Sequence, residues 1–174
     1  MRWWAILLLG VCLHAAAAEG IEQVLDRSQK MRLSQRPAGE AASAATQRVR
    51  QSLQRLTALA GKEMPAVELV LVGGDLFAEA LLDRPGVAVS QAVGDLPEGE
   101  RLLLLAHELG HVRLAHARAL KSLYRTHIPG EVRPETTDGA SAALGREAHR
   151  LSHRHEHEAD AYGYTLVRTL GFGL

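Results

Sequence analysis

Leu102-Leu103-Leu104-Leu105-Ala106-His107-Glu108-Leu109-Gly110-His111 is the stretch that decides the fold of this 174-residue chain. An unbroken apolar run passes straight into two histidines four residues apart. Pro97 stands just ahead of it, and Glu98 and Glu100 fall where the positive end of a helix dipole favours acids. The stretch therefore reads as one helix from Glu98 to about Tyr124, buried on most sides. His107 and His111 then share a face, with Cβ atoms about 5–6 Å apart. A histidine inside such a helix needs a partner, because an unpaired buried polar group is costly.

Upstream, Ile21, Val24, Leu25, Met31 and Leu33 mark an amphipathic helix from Ile21 to about Arg36, which Pro37 and Gly39 interrupt. Glu40 to Ala60 resumes the pattern through Ala45, Val49, Leu53, Leu56 and Leu59, and Gly61 stops it. Val67–Val72 is short and rich in β-branched residues, so it reads as a strand. Ala80–Leu82 and Val87–Ser90 flank Asp83-Arg84-Pro85-Gly86, the composition of a hairpin turn. Downstream, Pro129, Gly130 and Pro134 make Ile128–Thr137 a loop. Asp138 is placed to cap a last helix running to about Leu170. Helices around a few strands give an α+β chain with a small mixed β-sheet. Its length suits one compact domain, here a helical segment over 19–64 followed by a functional domain over 65–174.

Composition narrows the function. Hydrophobic residues make up 47%, which argues against disorder. Lys plus Arg and Asp plus Glu both number 20, so no basic surplus points to nucleic acid. A single Cys excludes a disulfide framework and a Cys-rich zinc module. Histidine is the outlier: eight of the nine follow residue 100.

His107-Glu108-Leu109-Gly110-His111 has the H-E-x-x-H spacing of zinc peptidases. The two imidazoles can meet one ion. Glu108, next along the helix, can lean over the open coordination position and move protons there as general base and acid. Gly110 leaves space beside them. A catalytic zinc normally takes three protein ligands and a water. The last helix offers His149, His153, Glu156 and Asp160 on one face, while His155 and Glu158 point elsewhere. Spacing leaves His149, His153 and Glu156 open as the third ligand. His153, His155 and His157 alternate with charged residues and read as a solvated face; a weak metal-loading role is the other reading. The ligand types would also accept cobalt or manganese.

Together, His107-Glu108-Leu109-Gly110-His111 and Glu156-His157-Glu158-Ala159-Asp160 resemble the HtpX-like and CAAX prenyl endopeptidase family of gluzincin metallopeptidases. Ala106, Val112 and His116 around the first motif agree, as do Ser152, Arg154 and Gly163 around the second. Phe77-Ala78 and Pro85–Val89 look like that family's edge-strand region, without the Asn that commonly begins it. The resemblance covers roughly residues 65 to 172. It implies a zincin-like (gluzincin) fold and one zinc ion per chain, held by His107, His111 and Glu156. It implies Glu108 as the general base and acid, and Asp160 as the group that orients a ligand imidazole. The expected activity is metalloendopeptidase hydrolysis of protein or peptide substrates. The substrate would lie along an edge strand near Val87–Ser90. Ile128–Thr137 would serve as a gate, and an oxyanion-stabilising group would come from His149, His153, His157 or Tyr162.

The first residues read as an address. Met1-Arg2 is followed by an apolar run from Trp3 and by Ala16-Ala17-Ala18 ahead of Glu19, the pattern of a secretory signal peptide over 1–18 cleaved near Ala18. The run is short for a membrane span, and Val11 before Cys12 does not suit lipidation. Cleavage would remove Arg2 and Cys12 and leave a formal charge of −1. A periplasmic or secreted chain that does not span the membrane is expected, with envelope protein quality control as the analogous setting. The alternatives are a zinc-stabilised binding or adaptor protein with little catalysis, and a metal carrier using the His-rich helix.

Overall fold

The computed structural model describes residues 19–172. The leader expected over 1–18, with Cys12 and the cleavage point after Ala18, lies outside them. Helices α1 (Ile21–Ser34) and α2 (Ala44–Ala60) lead into strands β1 (Glu68–Val72), β2 (Ala78–Ala80) and β3 (Gly86–Ser90). A 3-10 turn over Gln91–Asp95 then leads to α3 (Glu98–Arg113), α4 (His116–His127), the short α5 (Pro134–Thr137) and the long α6 (Ser141–Thr169). The architecture is α+β, with helices packed on a three-stranded mixed sheet. Among the described residues no helix is long and apolar enough to cross a membrane.

Strand order is β1-β3-β2, with β3 parallel to β1 and antiparallel to β2. All five residues of β3 are buried, so β3 is the centre of the sheet. This corrects the expectation that Val87–Ser90 lies at an edge. The apolar run Val87-Ala88-Val89 is what a strand covered on both faces requires. The edge beside α3 is β2, which sits two residues earlier than the sequence pattern suggests.

Val49, Leu53 and Leu56 of α2, Val87 and Val89 of β3, Leu102, Leu105 and Leu109 of α3, and Leu166 and Val167 of α6 form one core. The buried α3 residues recur at three and four positions, as a helix face demands. The 19–64 segment contributes to that same core. Arg101, buried in α3, donates to Ser52 Oγ at 2.9 Å and to the Leu96 carbonyl at 2.7 Å, which satisfies its charge-bearing end.

The helix expected from Glu98 to Tyr124 is instead two helices. Ala115 has φ 55° and ψ 38°, a left-handed conformation that ends α3 and redirects α4. For a residue with a Cβ that conformation costs roughly 1–2 kcal/mol, so tertiary contacts must hold it. Ile128–Thr137 also differs from a free loop. Ile128 is buried with Ile21 and Leu144, the Val132 amide donates to the Glu19 carbonyl at 3.0 Å, and Pro134–Thr137 is helical. Apolar side chains there find a second small core. Asp138 caps nothing with its side chain; α6 begins at Ser141, whose hydroxyl donates to the Asp138 carbonyl at 3.1 Å.

α3 and α6 touch backbone to backbone. A Cβ on Gly110 would lie 2.9 Å from Ala159 Cα, and one on Gly163 would lie 2.9 Å from the His107 nitrogen. Gly110 was expected to leave space for the site; its space is taken by α6. These two contacts set the neighbouring residues of α6 directly against His107.

Candidate metal centre

His107 and His111 project from α3 on one face, and Glu156 reaches them from α6. His107 Nε2 and His111 Nε2 are 3.1 Å apart. Glu156 brings one oxygen to 3.3 Å from His107 Nε2 and the other to 3.7 Å from His111 Nε2. Donor atoms about 2.0–2.2 Å from a tetrahedral ion sit roughly 3.3–3.6 Å from one another, so these groups stand within about 0.2 Å of the spacing that a small ion such as zinc would need.

Hydrogen bonds make the case sharper. His107 Nδ1 lies 2.8 Å from Asp160 Oδ1. An ionised carboxylate can only accept, so the His107 proton sits on Nδ1 and Nε2 carries a lone pair. That lone pair, a Glu156 oxygen and His111 Nε2 converge. Such a set of acceptors suits a cation. Asp160 thus stands where the resemblance implies, one helical turn beyond Glu156.

The other candidate ligands of α6 lie apart. His149 and His153 face each other on the exposed surface, Nε2 to Nε2 at 3.1 Å, and neither joins the group. His155, read from sequence as part of a solvated face, is instead buried and stacked flat on His116, with centroids 3.9 Å apart and planes 2° from parallel. His153 and His157 are exposed. A second convergent set, His116, His155 and Glu158, therefore adjoins the first. Sequence reading missed it because the Ala115 turn that delivers His116 has no local signature.

The group opens on a cleft of about 840 Å³ between the β2 edge and α4, lined by His107, Glu108, His111 and Glu156. None of His149, His153, His157 or Tyr162, the four expected oxyanion-stabilising candidates, lines it. The Ile128–Thr137 segment does not line it either, so its expected role as a gate has no support in its position. At the β2 edge, Gln29 of α1 donates to the Ala80 carbonyl at 3.0 Å and accepts from the Leu82 amide at 2.8 Å. Strand addition at Ala80–Leu82 therefore meets Gln29.

Glu108 is buried, and that burial pushes its carboxyl up to about 7 against the pull of His107 and a hydrogen bond from the Ala80 backbone. His111 is pushed down to about 4, first by burial and then by the neighbouring imidazoles, so its ring is neutral at physiological pH. The two shifts have opposite consequences for stability. His111 contributes stability that is present above 6.5 and is lost as pH falls through about 4. Glu108 contributes stability that is complete below 4.5 and is lost as pH rises through about 7. In chelator, Glu108→Gln should therefore be more stable than the parent at pH 8, on the order of 2–3 kcal/mol, and the two should converge below pH 4.5. Thermal unfolding across that range checks this; a pH-independent difference would exclude burial as the cause.

Compared with models of known protein families, with curated proteins and with solved structures, the chain matches none.

Proposed function

We propose that this chain is a zinc-dependent metalloendopeptidase of zincin-like build, allied to the HtpX-like gluzincins that its motifs resemble. It holds one zinc ion through His107, His111 and Glu156 and works outside the cytoplasm, with envelope protein quality control as the setting that the resemblance suggests. The reading is carried by one observation: two imidazole nitrogens of α3, 3.1 Å apart, converge with a Glu156 carboxylate of α6 that has one oxygen 3.3 Å from the first and the other 3.7 Å from the second, beside a buried Glu108, in a cleft.

Bound zinc supplies a Lewis acid that polarises the scissile carbonyl and lowers the pKa of water toward about 7. Glu108 accepts the proton of the attacking water and passes it to the leaving amine. Asp160 accepts from His107 Nδ1–H and so keeps the Nε2 lone pair on the donor side. The substrate lies extended in the cleft along β2, the edge strand beside α3, toward its Ala78 end, since Gln29 occupies the Ala80–Leu82 end.

Metal analysis after dialysis should return one zinc per chain. Cleavage of an unfolded protein such as casein should stop in chelator and resume when one equivalent of zinc is restored. Hydrolysis that persists in chelator, or a chain that retains no zinc, would overturn the proposal.

A further inference from the structure

We propose that His116 and Glu158 form a relay that fixes the proton and the ring plane of His111, so that a carboxylate–imidazole–imidazole chain backs the second zinc ligand. The inference rests on the zinc reading above.

The proton count runs from the carboxylate inward. His116 Nε2 is 3.1 Å from Glu158 Oε2. A carboxylate accepts only, so the proton of the neutral His116 ring lies on Nε2. Its Nδ1 then carries a lone pair, and this atom is 3.0 Å from His111 Nδ1. Two ring nitrogens at that distance need one proton between them, and it must come from His111. His111 therefore bears Nδ1–H and presents a bare Nε2 toward His107 and Glu156. The same outcome that Asp160 secures for His107 in one step is secured for His111 in two.

The backbone is built for this contact. On an unbroken helix, residue 116 would sit about 140° around the axis from residue 111, away from its ring. The left-handed Ala115 turns the chain so that the His116 ring meets His111 edge-on, with centroids 4.9 Å apart and planes at 81°. His116 is buried, and His155 stacked on it fixes its plane.

His116, His155 and Glu158 also resemble a second metal site, since their donor atoms lie within 4.8 Å of one another. One feature stands against that use: the parallel rings of His116 and His155 direct their lone pairs in parallel planes, which do not meet at one ion unless a ring turns. In the relay, His116 Nε2 is protonated and offers no lone pair. The relay and the second ion compete for the same nitrogen.

Two measurements test this on the full chain. Long-range nitrogen–proton NMR of the zinc-loaded parent should show His111 as Nδ1–H and His116 as Nε2–H. Zinc competition with a chromophoric chelator should show a fall in affinity of about 10–100-fold for His116→Phe, which keeps a ring over His155. Stoichiometry should stay at one. His116 found as Nδ1–H, a His116→Phe chain that binds as tightly as the parent, or a second tightly held zinc lost on that substitution would each overturn the relay. A parent chain that binds no zinc would instead overturn the metal centre itself. Should His116→Phe fail to fold, the NMR assignment on the parent still decides.

Discussion

Glu108→Gln should lower peptide hydrolysis by about 10²–10⁴-fold while one zinc per chain is retained. The side chain is buried against the Ala80 backbone and is not among the converging donor atoms, so an amide of the same shape leaves the donor set in place. What the amide cannot do is accept a proton. The lost rate should appear in kcat, because the proton moves in the transition state and not on binding. Steady-state kinetics paired with metal analysis on the same preparation makes the comparison. A variant that still cleaves casein at the parental rate would remove Glu108 from the chemistry. A parent chain that binds zinc but never cleaves would favour the adaptor reading.

Glu156→Ala should have the opposite signature: zinc and hydrolysis are lost together. Glu156 is the one donor that α6 contributes to the His107–His111 group. Removing it leaves two imidazoles, which is one ligand short of a catalytic zinc site. The loss of affinity should exceed the about 10–100-fold expected for a residue that only orients a ligand. Half the Glu156 side chain is exposed, so the fold should tolerate the change, and unfolding in chelator should match the parent. Retention of zinc at parental affinity would assign the third ligand elsewhere on α6.

Much of this was legible in the residues. Leu102–His111 specifies a buried helix because the apolar run and its spacing are carried by neighbouring residues. Glu156 and Asp160 follow from their spacing together with the resemblance, and the structure brings both to His107. What escaped depends on distant neighbours. Nothing in Leu114-Ala115-His116 announces a left-handed residue, since alanine favours helix, and the contacts His116 makes beyond the turn, with His111, His155 and Glu158, come from packing. Strand order escaped for the same reason: Val87–Ser90 reads as a strand from its composition, but whether it is central depends on which strands flank it. His155 looked solvated because its sequence neighbours are charged, whereas the approach of α4 buries it.

The crossing of α3 and α6 bears on which cation the centre can take. Gly110 and Gly163 let the two backbones touch, so a side chain in place of either hydrogen would push α6 off α3 and carry Glu156 away from the imidazoles. A large hard cation such as calcium needs six to eight oxygens at about 2.3–2.6 Å, whereas His107, His111 and Glu156 offer two nitrogens and one carboxylate. Were a metal bound there, its discrimination against alkaline-earth ions would come from those donors, and their meeting at one point would depend on glycines that donate nothing themselves.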